Sequence, residues 1–188
     1  MKVMSSHEKQ KEMSKKWIAD SFITLMKTKP YEQITISEIA ANADLARRTF
    51  YRAFSSKNDV IAYIVENLVR EYINELTLPA PLNMKSLALV FFGFFEKHRE
   101  LILCFRHNHL EYFILESFNQ YLPYIRTQTC KEKISDDPRV DKLFALMSGG
   151  AFFNLLMYWS EDNSGLTPDD LSELIPQAVA IFSQYNAE

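Results

Sequence analysis

The 188 residues are 47% hydrophobic and 24% charged, with only 4 Gly and 7 Pro. That balance builds a packed core and excludes both a disordered chain and a turn-rich all-β protein. The two cysteines, Cys104 and Cys130, are too few for a disulfide framework and fit a cytoplasmic protein with reduced thiols. The net charge of −3 hides an asymmetry: residues 1–57 carry 11 Lys+Arg against 6 Asp+Glu, and residues 58–188 carry 10 against 18. A basic N-terminal third on an acidic whole is expected where only that third meets phosphate. No run of about 18 uncharged apolar residues predicts a membrane span. The opening MKVMSSHEKQKEMSKK lacks the apolar centre of a signal peptide.

Residues 1–8 are polar and expected to fray. A first helix is predicted from Glu8 to Lys27, with Ile18, Phe22, Leu25 and Met26 inward and Trp17 beside them. Lys9, Lys11, Lys15 and Lys16 cluster near its start, as a solvated face or as phosphate contacts. Lys29-Pro30 ends it, because Pro disfavours helical geometry in the residue before it. Ile36, Ile39, Ala40 and Ala43 then recur at helical spacing, behind a Thr35/Glu38 capping-box pattern. Asp44-Leu45 interrupts that periodicity, and Asp tolerates the left-handed conformation of a sharp turn.

The next helix is predicted from Ala46 to Phe54. At 3.6 residues per turn Phe50 and Phe54 face inward with Ala53, while Arg48 and Arg52 point away from them. Thr49 lies at one edge, Arg47 and Tyr51 at the other. A short helix showing three arginines, a hydroxyl and a phenol, braced by two phenylalanines, suits the major groove of DNA. Ser55-Ser56 caps a further helix from Lys57 to Leu76. Lys57 in its first turn opposes the helix dipole unless an anion lies there.

Thr35-x-x-x-Ile39-Ala40, Leu45, Thr49-Phe50-Tyr51-x-x-Phe54 and Ser56-Lys57 resemble the tetracycline-repressor (TetR) family of bacterial transcription regulators. The resemblance is specific over about the first third of the chain. Asp44 stands where the family commonly has Gly, and Ala46 where it commonly has a capping Ser. The resemblance implies an all-α fold: a helix-turn-helix DNA-binding domain over residues 1–57, followed by a helical regulatory and dimerisation domain over residues 58–188. From the wheel, Arg48 and Thr49 are the first candidates for base contacts, with Arg47 and Arg52 next. Thr35, Tyr51 and Lys57 are assigned to phosphates, where the family has matching residues.

Leu78-Pro79-Ala80-Pro81 reads as the boundary between the two parts. Beyond it, NMKSLALVFFGFFEK (Asn83 to Lys97) is apolar almost all round, as in a helix buried within a bundle. Helices follow at Glu100–Phe105, Leu110–Thr127, Pro138–Trp159 and after Thr167-Pro168, about nine in all with no convincing strand. Pro123 should kink or shorten its helix and Pro176 should bend the last. Cys130–Asp137 and Glu161–Gly165 read as loops. The last two helices show wide apolar stripes with no later element to cover them. The family resemblance pairs them with a second subunit, through Phe152, Leu155, Trp159, Leu174, Ala178, Ile181 and Phe182.

The same resemblance implies a small-molecule inducer pocket among the central helices, for which Phe91, Phe95, Cys104, His107, Tyr112, Met147, Phe152, Asn154 and Trp159 are candidates. An apolar or aromatic ligand fits this composition better than a charged one. The layout from Trp159 to Gly165-Leu166-Thr167-Pro168 is similar to that of a subgroup that includes regulators of dihydroxyacetone kinase operons. The function expected is a homodimeric repressor of a palindromic double-stranded DNA operator, with no cofactor and no enzymatic activity. Two other readings stand beside it. Cys104-x-x-His107-x-His109 could share a metal or serve a hydrolase, but no second cluster completes four ligands and no residue orients the His. A helix-turn-helix relic could also act purely as a protein-binding module.

Overall fold

The computed structural model describes residues 5–76, 83–129, 135–161 and 165–184. Among them are nine α-helices, one 3-10 turn and no strand. The helices are α1 (Ser6–Met26), α2 (Ile36–Asn42), α3 (Arg47–Ala53), α4 (Lys57–Glu75), α5 (Met84–Lys97), α6 (Arg99–His107), α7 (Glu111–Thr129), α8 (Pro138–Glu161) and α9 (Pro168–Gln184). Two compact units result. One holds the chain up to Asn67 together with Cys104–Phe113, and the other holds Leu68–Leu103 and the chain from Ile114 onward.

In the first unit α1 starts earlier than its polar sequence implies. Ser5 and Glu8 form a reciprocal capping box, so the segment from Ser5 is helical or caps a helix rather than fraying. Ile18 and Phe22 are fully buried, and Trp17 lies largely exposed. The Ser21 hydroxyl donates to the Ile39 carbonyl at 2.8 Å and accepts from Asn42 Nδ2 at 3.0 Å, pinning α2 across α1. A buried amide ties the end of α6 into the same unit. Asn108 Oδ1 accepts from the Tyr31 N–H at 2.7 Å, while Nδ2 donates to the Met26 and Cys104 carbonyls at 3.2 and 2.8 Å. A buried amide that fills its capacity this way fixes one arrangement of the segments it joins.

The second unit is built on rings. Tyr72, at the end of α4, is surrounded by Phe91, Phe94, Phe95 and Phe118 with centroids 5.4–6.3 Å apart. Phe152 of α8 meets Phe91 at 4.9 Å. The end of α8 is anchored by Arg99, whose guanidinium lies over the Trp159 ring and donates to the Trp159 and Ser160 carbonyls. Those are carbonyls of the last turn, where a cation is favoured. Trp159 Nε1 donates to the Leu166 carbonyl at 2.9 Å. Helix α9 packs along α5 through Leu171, Ser172 and Ile175, with a Lys85–Glu173 ion pair between the two helices.

Several boundaries differ from the sequence reading. Helix α6 extends to His107, and α7 and α9 continue through Pro123 and Pro176. A proline inside a helix removes one hydrogen bond, and both helices carry on past it. The expected boundary at Leu78–Pro81 and residues 130–134 and 162–164 lie outside the described residues. Helix α8 is long and apolar enough by length and composition to cross a membrane, and most of that apolar stretch is not buried.

Candidate functional site

Helix α2, the turn and α3 form a helix-turn-helix whose geometry follows from a few residues. Thr35 caps α2: its hydroxyl accepts from the Glu38 N–H at 3.2 Å and donates to Glu38 Oε2 at 2.8 Å. Glu38 is also paired with Lys29 at 2.6 Å. The Lys29 ammonium, with bonds from Thr35, holds the Glu38 carboxyl at about 2, against an ordinary 4.5. Helix α2 ends in a Schellman turn. The Leu45 N–H donates to the Ala40 carbonyl at 2.9 Å and the Asp44 N–H to the Ala41 carbonyl at 3.1 Å, with Asp44 at φ 54°. This is the left-handed position that the sequence assigned to Asp44.

Helix α3 buries Phe50 completely and leaves its cationic side in solvent. Arg47, Arg48, Tyr51 and Arg52 are exposed and Thr49 is half-buried. Arg47 Nη2 donates to the Tyr51 hydroxyl at 3.2 Å, and its guanidinium lies over that ring. The side chains of Arg48 and Arg52 make no hydrogen bond or ion pair among the described residues. Arg47 and Arg48 also occupy the first two positions of α3, where the helix dipole is already positive. Uncompensated cations stacked on a positive helix end make an anion-seeking surface.

Lys57 is less free than its position in the sequence implies. Its ammonium donates to the carbonyls of Tyr31 and Ile34 at 2.7 and 2.8 Å and sits 4.4 Å from the Tyr31 ring centre. Burial lowers its pKa from the usual lysine value. The start of α4 is capped by Asp59, which accepts from the Ser55 and Ser56 N–H groups. Lys57 therefore staples the 3-10 turn (Tyr31–Gln33) to α4, a role the spacing did not reveal.

In the second unit a pocket of about 170 Å³ opens among α4, α5, α7 and α8. Tyr72, Phe91, Phe118, Phe152 and Phe153 provide rings, Leu87, Leu122 and Ile125 provide aliphatic surface, and Arg126 and Ser148 provide polar atoms. Of the residues expected in a pocket, Phe91 and Phe152 line it, and Phe95 lies in the ring cluster behind Phe91. Trp159 is buried at the end of α8, and Met147 and Asn154 face outward. Cys104, His107 and Tyr112 belong to the other unit. Cys104 is buried, which pushes its thiol up, while His107 and His109 are exposed. Among the described residues no group of three or more His, Cys, Asp or Glu could hold a metal ion.

The outer faces of α8 and α9 carry an apolar stripe. Leu143, Met147, Ala151 and Tyr158 on α8, and Leu174, Ala178 and Ile181 on α9, are exposed at helical spacing. Among residues expected at a subunit contact, Phe152 and Leu155 are half-buried and Trp159 is buried. The Phe182 side chain lies outside the described residues.

Residues 20–64 match the family model described as bacterial regulatory proteins, tetR family. This segment belongs to the TetR family. The matched residues span the last third of α1, the whole helix-turn-helix and the start of α4. The dhaKLM operon transcriptional activator DhaS of Lactococcus lactis is 36% identical over 63 residues, 34% of this chain and 34% of that protein. The chain thus aligns with about a third of the length of that relative. Over the whole fold, the crystal structure of Lin0861 from Listeria innocua superposes with a TM-score of 0.75, covering 97% of this chain and 96% of that one at 18% identity. A dihydroxyacetone kinase operon activator DhaS superposes at 0.61, covering 89% and 94%, at 21% identity. Likeness at such identity establishes a shared all-helical fold. Within the TetR segment, Arg47, Arg48, Thr49, Tyr51 and Arg52 form one continuous surface on α3, whereas the Thr35 hydroxyl is engaged by Glu38 and the Lys57 ammonium by carbonyls.

Proposed function

We propose that this chain is a homodimeric, DNA-binding transcription regulator of the cytoplasm that represses a palindromic operator until a small apolar or aromatic ligand enters its second unit. The observation that carries the DNA reading is α3: three exposed arginines, two with no partner among the described residues, on a helix held from beneath by a fully buried Phe50. Arg48 and Thr49 are the proposed base contacts, with Arg47 and Arg52 beside them. An Arg fork on guanine O6 and N7 supplies about 1–3 kcal/mol of discrimination. Thr35, Tyr51 and Lys57 are the proposed phosphate contacts that set register. Residues 1–57 carry this activity and residues 58–188 its regulation and dimerisation.

The exposed stripe of Leu143, Met147, Ala151 and Tyr158 with Leu174, Ala178 and Ile181 supports dimerisation. Apolar residues repeating along two consecutive helices suit a self-complementary interface. The pocket supports a ligand that biases the spacing of two recognition helices through its preference for one conformation.

The test is a gel-shift titration on genomic fragments flanking the gene. Wild type should retard a palindrome-like fragment, Arg48→Ala should weaken binding at least tenfold, and Met147→Glu should convert dimer to monomer in sedimentation. DNA binding indifferent to Arg48→Ala, or a monomeric wild type, would overturn the corresponding half of the proposal. A stable protein partner with no DNA binding even at low salt would favour the interaction-module reading instead.

A further inference from the structure

The pocket in the second unit is largely apolar and holds a few polar groups, Tyr72, Arg126 and Ser148. Tyr72 lies in a cage of phenylalanines, is 2% exposed and lines the pocket, yet its hydroxyl makes no hydrogen bond among the described residues. Phe at this position would fill the same space without stranding a polar atom. A hydroxyl with no protein partner at a pocket wall is a place for a ligand atom. Burial also pushes the Tyr72 phenol upward, so it keeps its proton and can donate.

The other polar residues at the wall fit the same role. Arg126 has only donors and Ser148 can donate, and among the described residues no carboxylate lines the pocket. The Arg126 charge is matched by Asp141 at 2.8 Å, so the site asks for an acceptor rather than for a net negative charge. The volume of about 170 Å³ compares with the roughly 150 Å³ of an apolar protein cavity that admits benzene. That space suits one aromatic ring with a small substituent.

We infer that this pocket takes a neutral single-ring aromatic molecule carrying one hydrogen-bond acceptor, such as a carbonyl oxygen, to which the Tyr72 hydroxyl donates. The inference rests on the ligand pocket proposed above and specifies what that pocket recognises. It is tested by calorimetric titration of the full-length protein with acetophenone and with α-methylstyrene, which has the same shape but carries CH2 in place of the oxygen. Both should bind wild type. Tyr72→Phe should weaken acetophenone about threefold to tenfold and leave α-methylstyrene unchanged or tighter. The variant deletes only the hydroxyl, and its melting temperature should equal or exceed that of wild type.

Equal responses of the two probes to Tyr72→Phe would overturn the hydrogen-bond assignment while leaving the pocket in place. Failure of either probe to bind folded wild type would overturn the assignment and count against the ligand reading. Filling the pocket with Ala145→Phe should abolish binding of both probes; binding retained in that variant would place the probes elsewhere and overturn the inference.

Discussion

The recognition helix begins without a side-chain cap, and supplying one should stabilise the protein by a measurable amount. Ala46 sits at the N-cap of α3 with φ −68° and ψ 143°, the extended geometry from which a serine hydroxyl reaches back to the next amides, yet it makes no side-chain cap. The Thr49 N–H closes a tight turn on the Ala46 carbonyl at 2.7 Å, leaving the Arg47 and Arg48 amides at the helix start without intrahelical partners. Ala46→Ser needs no backbone change and should add about 1 kcal/mol. For a chain of this size that raises the melting temperature by about 2–4 °C. The measurement is a thermal or urea melt at one fixed protein concentration, since dimerisation makes the midpoint concentration-dependent. Ala46→Gly, the control, should recover part of the gain because Gly is also favoured over Ala at an N-cap. If Ala46→Ser melts at or below wild type with an unchanged urea slope, the α3 amides are already satisfied and the capping argument fails.

Four further outcomes follow from the same geometry. Lys57→Met strands the Tyr31 and Ile34 carbonyls and should cost about 1–2 kcal/mol; it should also reduce the magnitude of the salt slope of DNA binding by about 1 if the ammonium meets phosphate. A loss of stability with an unchanged slope would confine Lys57 to stapling the turn. Glu38 has its carboxyl held at about 2, below the ordinary 4.5, so its contribution is complete above 4.5 and disappears as pH falls towards 2. The stability difference between wild type and Glu38→Gln should therefore shrink across that window, and a constant difference would refute the pairing with Lys29.

Asp44→Asn keeps a side chain that tolerates the left-handed turn and should leave stability within about 0.5 kcal/mol, while raising DNA affinity at low salt by removing a negative charge beside α3. Asn108→Ala leaves the Tyr31 amide and the Met26 and Cys104 carbonyls without their partner. It should cost at least about 2 kcal/mol in a urea melt; a cost near zero would mean that water replaces the amide.

The elements that can be read from this sequence are those fixed by neighbours in the chain. The Thr35/Glu38 box, the left-handed Asp44 and the inward Phe50 need only a few consecutive residues, because capping, turn chemistry and the 3.6-residue repeat are local. The arginine face of α3 follows from that repeat as well, since a residue opposite a buried Phe must point outward. Helix type therefore survived Pro123 and Pro176, which lie inside α7 and α9.

Which element covers which face is a different matter. Helix α8 is apolar nearly all round, so periodicity could not separate Trp159 in the core, Phe152 at the pocket and Met147 in solvent. Only the positions of α5 and α7 and of the segment at Leu166 divide that helix into three surfaces. The Lys57 ammonium turns to carbonyls some twenty-five residues back, and the Tyr72 ring is surrounded by phenylalanines from two later helices. Hydrophobic patterning decides that a side chain is buried, because burial depends on the residue and its helical phase. What it is buried against depends on segments distant in the chain, and that was settled only when the helices packed.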